Sequence, residues 1–340
     1  MSKNISEKLE TFLDGFKAKD LTKDKKDVYA IPMTATVEET LKELNKKNIL
    51  SMPVIDKKKN KYVGIVSISD IVIATCFNPC FAKFAKGKEA IDSLKREDMA
   101  KIVEASVLKS PVSDLVGMTE ETKNLWVFDE EEKLGKLAEF FSQGVHRALI
   151  KRLKGSPCLV SQTDFVKFIA TQIKESKNKD IVEFLKQPLD KLGNVHKGKS
   201  VVSVREDETA LTGFRRLLQW QSFRDWNLAA LPIVDKKGAI IGNLSESDLR
   251  GLNENRLLDV LFVVPMYMKT FYGEMRKPET ITADCSFMDA LDKLIDCKVH
   301  RLWIVDNDKK PIGVFSLSDV ISQFTTFAWS HLKAMEDIVD

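Results

Sequence analysis

Three stretches of this chain can be laid over one another almost residue for residue, and that repetition constrains the fold more than any other feature. They read "MPVIDKKKNKYVGIVSISDIV" from Met52, "LPIVDKKGAIIGNLSESDLR" from Leu231 and "LWIVDNDKKPIGVFSLSDVI" from Leu302. Each is a β-branched strand ending in Asp, a polar turn, and a second strand closing on Ser-x-Ser-Asp, with an apolar helical pattern after it. A fourth, weaker copy, "HRALIKRLKGSPCLVSQTDFV" from His146, keeps Ser-x-x-Asp. It has lost the strand-ending Asp, and it carries Cys158 where the others have Gly64, Gly242 and Gly313.

A strand-like piece and an amphipathic helical pattern precede every copy. "VEETLKELNKK" places Val37, Leu41 and Leu44 on one face, and "LGKLAEFF" places Leu134, Leu137, Ala138 and Phe141. "ALTGFRRLLQW" does the same with Leu211, Phe214, Leu217 and Leu218, and "SFMDALDKLID" with Phe287, Ala290, Leu291 and Leu294. The unit is therefore strand–helix–strand–strand–helix, roughly fifty to sixty residues long, and it occurs four times. One unit alone leaves apolar sheet and helix faces uncovered, so units must pack together. The repeats fall at about 28–76, 124–172, 199–252 and 279–326. The polar run "KESKNKD" divides them into a first pair over 25–175 and a second over 176–328. An N-terminal extension (1–24) and a C-terminal helical tail (329–340) flank the pairs, and "GKEAIDSLKREDMAKIVEA" reads as a helix inserted between repeats one and two.

Composition narrows the function classes. With 44% hydrophobic and 30% charged residues a substantial core can form, and a formal charge of +3 predicts neither a nucleic-acid footprint nor a membrane-binding patch. Cys76, Cys80, Cys158, Cys285 and Cys297 show no paired spacing and only four His exist, which argues against a zinc site and for reduced thiols. The start "MSKNISEKLE" has no apolar signal core, and the most apolar run, "LLDVLFVVPMYM", is interrupted by Asp259 and Pro265. The expectation is a soluble cytoplasmic protein, with the nucleus also open to it. "GNVHKGKS", Gly193 to Ser200, matches the phosphate-loop pattern, which needs a strand before it and a helix after it. Here a helical pattern with Pro188 precedes and the strand-like "VVSV" follows, so the match is read as a polar lead-in loop. No nucleophile–base pair stands out, and the chain is expected not to be an enzyme.

Units ending "GIVSISD", "GNLSESD" and "GVFSLSD" resemble the cystathionine-β-synthase (CBS) domain, an α/β fold of β-α-β-β-α units arranged as tandem pairs (Bateman modules). Four in one chain, over roughly residues 25–328, resemble the gamma regulatory subunits of AMP-activated and sucrose-nonfermenting protein kinases. The resemblance implies two pairs in a flat disc, an energy-sensing role with AMP, ADP or ATP as regulatory ligand and no cofactor, and kinase catalytic and beta-type subunits as partners. Fungal CBS-domain inhibitors of protein phosphatases share the plan. A phosphatase-binding scaffold with weak or no nucleotide binding is therefore the alternative, and a homodimer through the CBS faces is a further option.

In Gly-h-h-Ser-x-x-Asp (h, apolar) the Ser ends a strand and the Asp lies in the first helical turn, where free N–H groups and the helix dipole favour a phosphate. A carboxylate there can also accept from both hydroxyls of a ribose. The resemblance implies that role for Asp70, Asp164, Asp248 and Asp319, with Ser67, Ser161, Ser245 and Ser316 beside them. The same spacing is close to a capping box that needs no ligand. "VHR" occurs at the same place in repeats two and four, and the resemblance directs His146, Arg147, His300 and Arg301 toward phosphates at the centre. A water-solvated strand-edge pair is the plainer reading of those four. Leu50 and Ala229 depart from the family pattern in repeats one and three. Trp220, Phe223 and Trp226 in the long helix of repeat three either extend the core or form a docking patch.

Overall fold

Local patterning produces the same arrangement four times. The computed structural model describes residues 3–86, 95–119, 121–176, 178–191, 201–223 and 229–325. After helix α1 (Lys3–Asp14), repeat one runs β1 (Ile31–Pro32), α2 (Val37–Lys47), β2 (Ser51–Asp56), β3 (Lys61–Ser67) and α3 (Ile68–Cys76). Helix α4 (Arg96–Glu104) follows in the linker. Repeat two runs β4 (Val127–Asp129), α5 (Leu134–Ser142), β5 (Arg147–Lys151), β6 (Cys158–Ser161) and α6 (Gln162–Glu175), and α7 (Lys179–Leu185) leads out of it. Repeat three runs β7 (Val204–Arg205), α8 (Ala210–Phe223), β8 (Ala230–Val234) and β9 (Ile240–Ser245), with α9 (Val264–Tyr272) in its exit linker. Repeat four runs β10 (Thr280–Ile281), α10 (Phe287–Asp296), β11 (Arg301–Val305), β12 (Pro311–Ser316) and α11 (Leu317–Ser322). In every sheet the first strand pairs parallel with the second, and the second pairs antiparallel with the third.

The helix faces are buried as their periodicity predicts, from Val37, Leu41 and Leu44 on α2 to Phe287, Ala290, Leu291 and Leu294 on α10. End signals agree with them. Thr36 and Glu39 form a capping box at the start of α2, and Asn48 closes it in the left-handed region at φ 53°.

Repeat three departs from the expected plan. The helix expected after Ser245 is only a 3₁₀ turn, Glu246–Leu249, and a second 3₁₀ segment, Glu254–Leu261, follows. Between them Gly251, a poor helix former, packs so closely on Phe271 that a Cβ would lie 2.7 Å from its ring. The strand expected at Val201 to Val204 is confined to Val204–Arg205. Around the phosphate-loop match the described elements are a 3₁₀ turn before (Leu189–Lys191) and β7 after, the reverse of the order a phosphate loop requires. "GNVHKGKS" itself, the tail 329–340 and the side chains of Trp220, Phe223 and Trp226 lie outside the described residues.

Sequence order does not decide what shares a core. One core joins repeat two to repeat four, with Phe141, Phe165, Leu291, Leu302 and Val320, and takes in Leu9 and Leu13 of α1. The other joins repeat one to repeat three, with Leu41, Ile71, Phe214, Leu231 and Tyr267. The sheets of repeats three and four meet through Ala230, Ile240 and Trp303, whose Nε1 donates to Asn243 Oδ1 at 3.0 Å. In the leading repeat of each pair, glycine lets the linker cross the sheet. A Cβ on Gly64 would lie 2.3 Å from Val116, and one on Gly242 2.7 Å from Met275.

Ile321 is wholly buried in the core shared by repeats two and four. Ile321→Ala is expected to cost about 2–5 kcal/mol. In urea titrations, Trp303 fluorescence in repeat four and hydrogen exchange of α5 in repeat two should shift to lower midpoints together.

Candidate functional site

Strand register builds the same corner in each repeat. The serine closing the third strand lies opposite the first residue of the second: Ser67 opposite Ser51, Ser161 opposite Arg147, Ser245 opposite Ala230, and Ser316 opposite Arg301. The N–H after each serine then donates across to the residue before the second strand, which turns the chain into its helix or turn. These bonds run from Ile68 to the Leu50 carbonyl at 2.8 Å, Gln162 to His146 at 3.0 Å, Glu246 to Ala229 at 3.2 Å and Leu317 to His300 at 3.1 Å. Leu50, His146, Ala229 and His300 are thus equivalent positions. The cations at these corners come from repeats two and four alone.

The four corners converge on a cavity of about 160 Å³ whose lining includes Ser69, His146, Arg147, Glu246, His300 and Arg301. Two polar ties cross it between the sequence pairs. Ser69 Oγ of repeat one donates to Glu246 of repeat three, and Gln162 Nε2 of repeat two donates to Ser318 Oγ of repeat four at 3.0 Å. Beside it lies a wider cleft of about 350 Å³, where Ser245 and Asp248 face His300, Arg301, Arg276 and Lys298.

All four aspartates form the capping box. Oδ2 of Asp70, Asp164, Asp248 and Asp319 accepts the backbone N–H of its serine at 2.7, 2.8, 2.6 and 2.7 Å, and accepts the serine hydroxyl as well. The surroundings then separate them. Asp70 Oδ1 takes Thr122 Oγ1 at 2.7 Å and the Thr119 N–H at 3.0 Å. Asp248 Oδ1 takes the Tyr272 hydroxyl at 2.6 Å, and Arg276 lies 3.6 Å from the centre of that tyrosine ring. Lys25 reaches Asp164 Oδ2 at 2.6 Å, and among the described residues no donor reaches its Oδ1. Burial pushes Asp70 up to about 6 against the bonds from Thr122, Ser67 and Thr119, and it raises Asp248 as well.

The cations are not alone in the cavity. Glu121 Oε2 lies 2.8 Å from His146 Nδ1, its Oε1 accepts the His146 N–H at 3.0 Å, and Arg147 Nη1 lies 3.7 Å away. Burial, the strongest single influence on Glu121, acts to raise it, yet His146 and Arg147 together hold it down at about 2. Burial also lowers the arginines, opposed at Arg147 by Glu121, Glu246 and Asp164 and at Arg301 by Glu246 and Asp248. Glu121, Glu246, Thr119, Thr122, Tyr272 and Lys25 carry no repeat signature, and pattern reading passes over them. Only Glu246, the variable residue of "SESD", lies inside a motif.

With this geometry in view, the family model for the CBS domain matches residues 18–75, 197–254 and 272–325, together half the chain. Repeat two, which lacks the strand-ending Asp and the glycine, is not among the matched segments. The chain is 23% identical, over 89% of its length and 93% of the relative's, to the SNF1-related protein kinase regulatory subunit gamma-like PV42a of Arabidopsis thaliana. It is 20% identical, over 93% and 92%, to the 5'-AMP-activated protein kinase subunit gamma of Saccharomyces cerevisiae. Protein MJ1225 of Methanocaldococcus jannaschii has the same fold, with a TM-score of 0.65 at 16% identity over 91% of this chain and 100% of that one. Among the described residues no helix is long and apolar enough to cross a membrane, and no group of three or more His, Cys, Asp or Glu could hold a metal ion.

His300 is the electrostatic marker of the site. Its ring is open to the cavity, yet the protein around it and then Arg301, Arg147, His146 and Arg250 lower its pKa to about 4. The unfolded chain takes up this proton near 6.5, so the group subtracts stability as the pH falls from 6.5 to 4. In histidine ring NMR titrations one resonance is expected to titrate near 4 and to vanish in His300→Gln. The same variant should flatten the loss of stability across that window.

Proposed function

The chain belongs to the CBS-domain family, and from that premise we propose that it is a non-catalytic regulatory subunit of an AMP-activated-type protein kinase, governed by adenine nucleotides. The observation that carries the reading is the 350 Å³ cleft, which sets one first-turn carboxylate, Asp248, opposite a group of cations. Asp248 can take ribose hydroxyls in place of the Tyr272 hydroxyl it now accepts. Arg301, Arg276 and Lys298 suit phosphates, the two arginines through planar donor forks and the lysine as a point charge. His300 is neutral at rest and gains a proton more readily once an anion enters. The plant gamma-like and yeast gamma relatives align with this chain over nearly their whole length, which supports a catalytic subunit and a beta-type subunit as partners.

AMP and ATP share adenosine and differ in phosphate charge. Each shifts the subunit only by its difference in affinity between two conformations. Asp164 and Asp319 are the corresponding ribose acceptors of the trailing repeats, beside His146–Arg147 and His300–Arg301.

Isothermal titration of the full chain with AMP and then ATP tests the reading. Arg301→Ala and Asp248→Asn, which keeps a capping acceptor, should each lose about 1.5–3 kcal/mol of binding, or roughly ten- to a hundredfold in Kd. If no adenine nucleotide gives heat with the wild-type chain or any variant, the serine–aspartate motifs serve only as helix caps and the reading falls. Co-purification of kinase rather than phosphatase subunits checks the partner.

A further inference from the structure

The first pair already holds, within its own linker, the two chemistries that a nucleoside monophosphate would bring. A hydroxyl is set on the first-turn carboxylate: Thr122 Oγ1 donates to Asp70 Oδ1 at 2.7 Å, and the Thr119 N–H adds a bond of 3.0 Å to the same oxygen. A carboxylate is set on the cation pair: Glu121 meets the His146 ring at 2.8 Å, the His146 N–H at 3.0 Å and Arg147 at 3.7 Å. Thr122 is 1% exposed and the Glu121 side chain 11%, so both groups are withdrawn from water.

The backbone holds these residues in place. Val116 seats over Gly64, and Gly117 turns at φ +83°, a left-handed conformation that glycine adopts without strain. Trp126 Nε1 donates to the Glu121 carbonyl at 3.1 Å. An internal group of this kind binds without the translational entropy that a free ligand loses.

The second pair is built differently. Its linker sends one hydroxyl, from Tyr272, to Asp248, and the carboxylates that act on Arg301 are Glu246 and Asp248, which belong to the repeat-three motif itself and not to the linker. Leu50 and Ser51 supply no cation at the corner of repeat one, whereas Arg276, Lys298 and Arg301 gather beside Asp248.

We propose that Thr119, Glu121 and Thr122 are a built-in stand-in for nucleotide in the first pair. The ribose position at Asp70 and the phosphate position at His146–Arg147 are held by the chain itself, and free nucleotide enters there only by displacing these residues. The second pair is then the responsive one. This inference rests on the nucleotide-binding reading, and its test separates the two.

The full-length chain is titrated with AMP by calorimetry, and hydrogen exchange is followed over residues 117–126. In the wild type, AMP binds at the second pair and leaves the exchange of 117–126 unchanged. Glu121→Gln/Thr122→Val should gain a further AMP-binding event that survives Arg301→Ala, and should lose protection in 117–126. Thr122→Ser, which keeps the hydroxyl, should behave as wild type. If the double variant does not fold, Glu121→Gln alone should tighten any first-pair binding at least tenfold. Unchanged stoichiometry in a folded double variant, or AMP binding at the first pair of the wild type with 117–126 still protected, overturns the stand-in and leaves the nucleotide reading intact. Absence of AMP binding in every chain overturns both.

Discussion

No single repeat of this chain can cover both its sheet and its helices, and the rest of the structure follows from that shortage. A five-element unit with apolar helix stripes is stable only when a neighbour takes those stripes out of water. The chain meets the need by joining repeat one to three and two to four, so that each core is built from both halves of the sequence. The same packing draws three helix starts and the 3₁₀ turn of repeat three to one centre. Ser69 is then tied to Glu246, and Gln162 to Ser318.

At that centre each first-turn aspartate has two duties that do not compete. Oδ2 serves the fold by taking the serine N–H and hydroxyl, and this happens in all four repeats. Oδ1 takes the donor its surroundings offer where one is within reach: threonine at Asp70, tyrosine at Asp248. Capping and ligand binding are therefore not rival explanations of Ser-x-x-Asp. A buried carboxylate without donors is costly, and this explains why the leading repeats bring linker hydroxyls to theirs.

Charge follows the same economy. Two guanidinium groups in one small cavity repel each other and lose hydration, and the nearby carboxylates of Glu121 and Glu246 offset both effects. The compensation is uneven. Repeat two has Glu121 in direct contact with His146, whereas His300 in repeat four faces other cations and is held near a pKa of 4. This imbalance leaves His300 neutral among cations while His146 sits against a carboxylate.

Much of this was legible without a structure, for identifiable reasons. Repeat length, the strand–helix–strand–strand–helix order, the helix faces from Leu41 to Leu294 and the cap positions are written in spacings of a few residues. Local backbone geometry enforces such spacings wherever they occur. The pairing of His146–Arg147 with His300–Arg301 was visible because repetition exposes equivalent positions. Tertiary structure alone decided that repeats one and three share a core, that repeat three turns through two 3₁₀ segments on either side of Gly251, and that Thr122, Tyr272 and Glu121 reach the site. Those contacts join residues far apart in the chain, Thr122 to Asp70 across 52 positions and Ser69 to Glu246 across 177, and no periodicity encodes them. They form because packing of the cores brings linkers and corners together, after which buried charges and hydroxyls take the partners within reach.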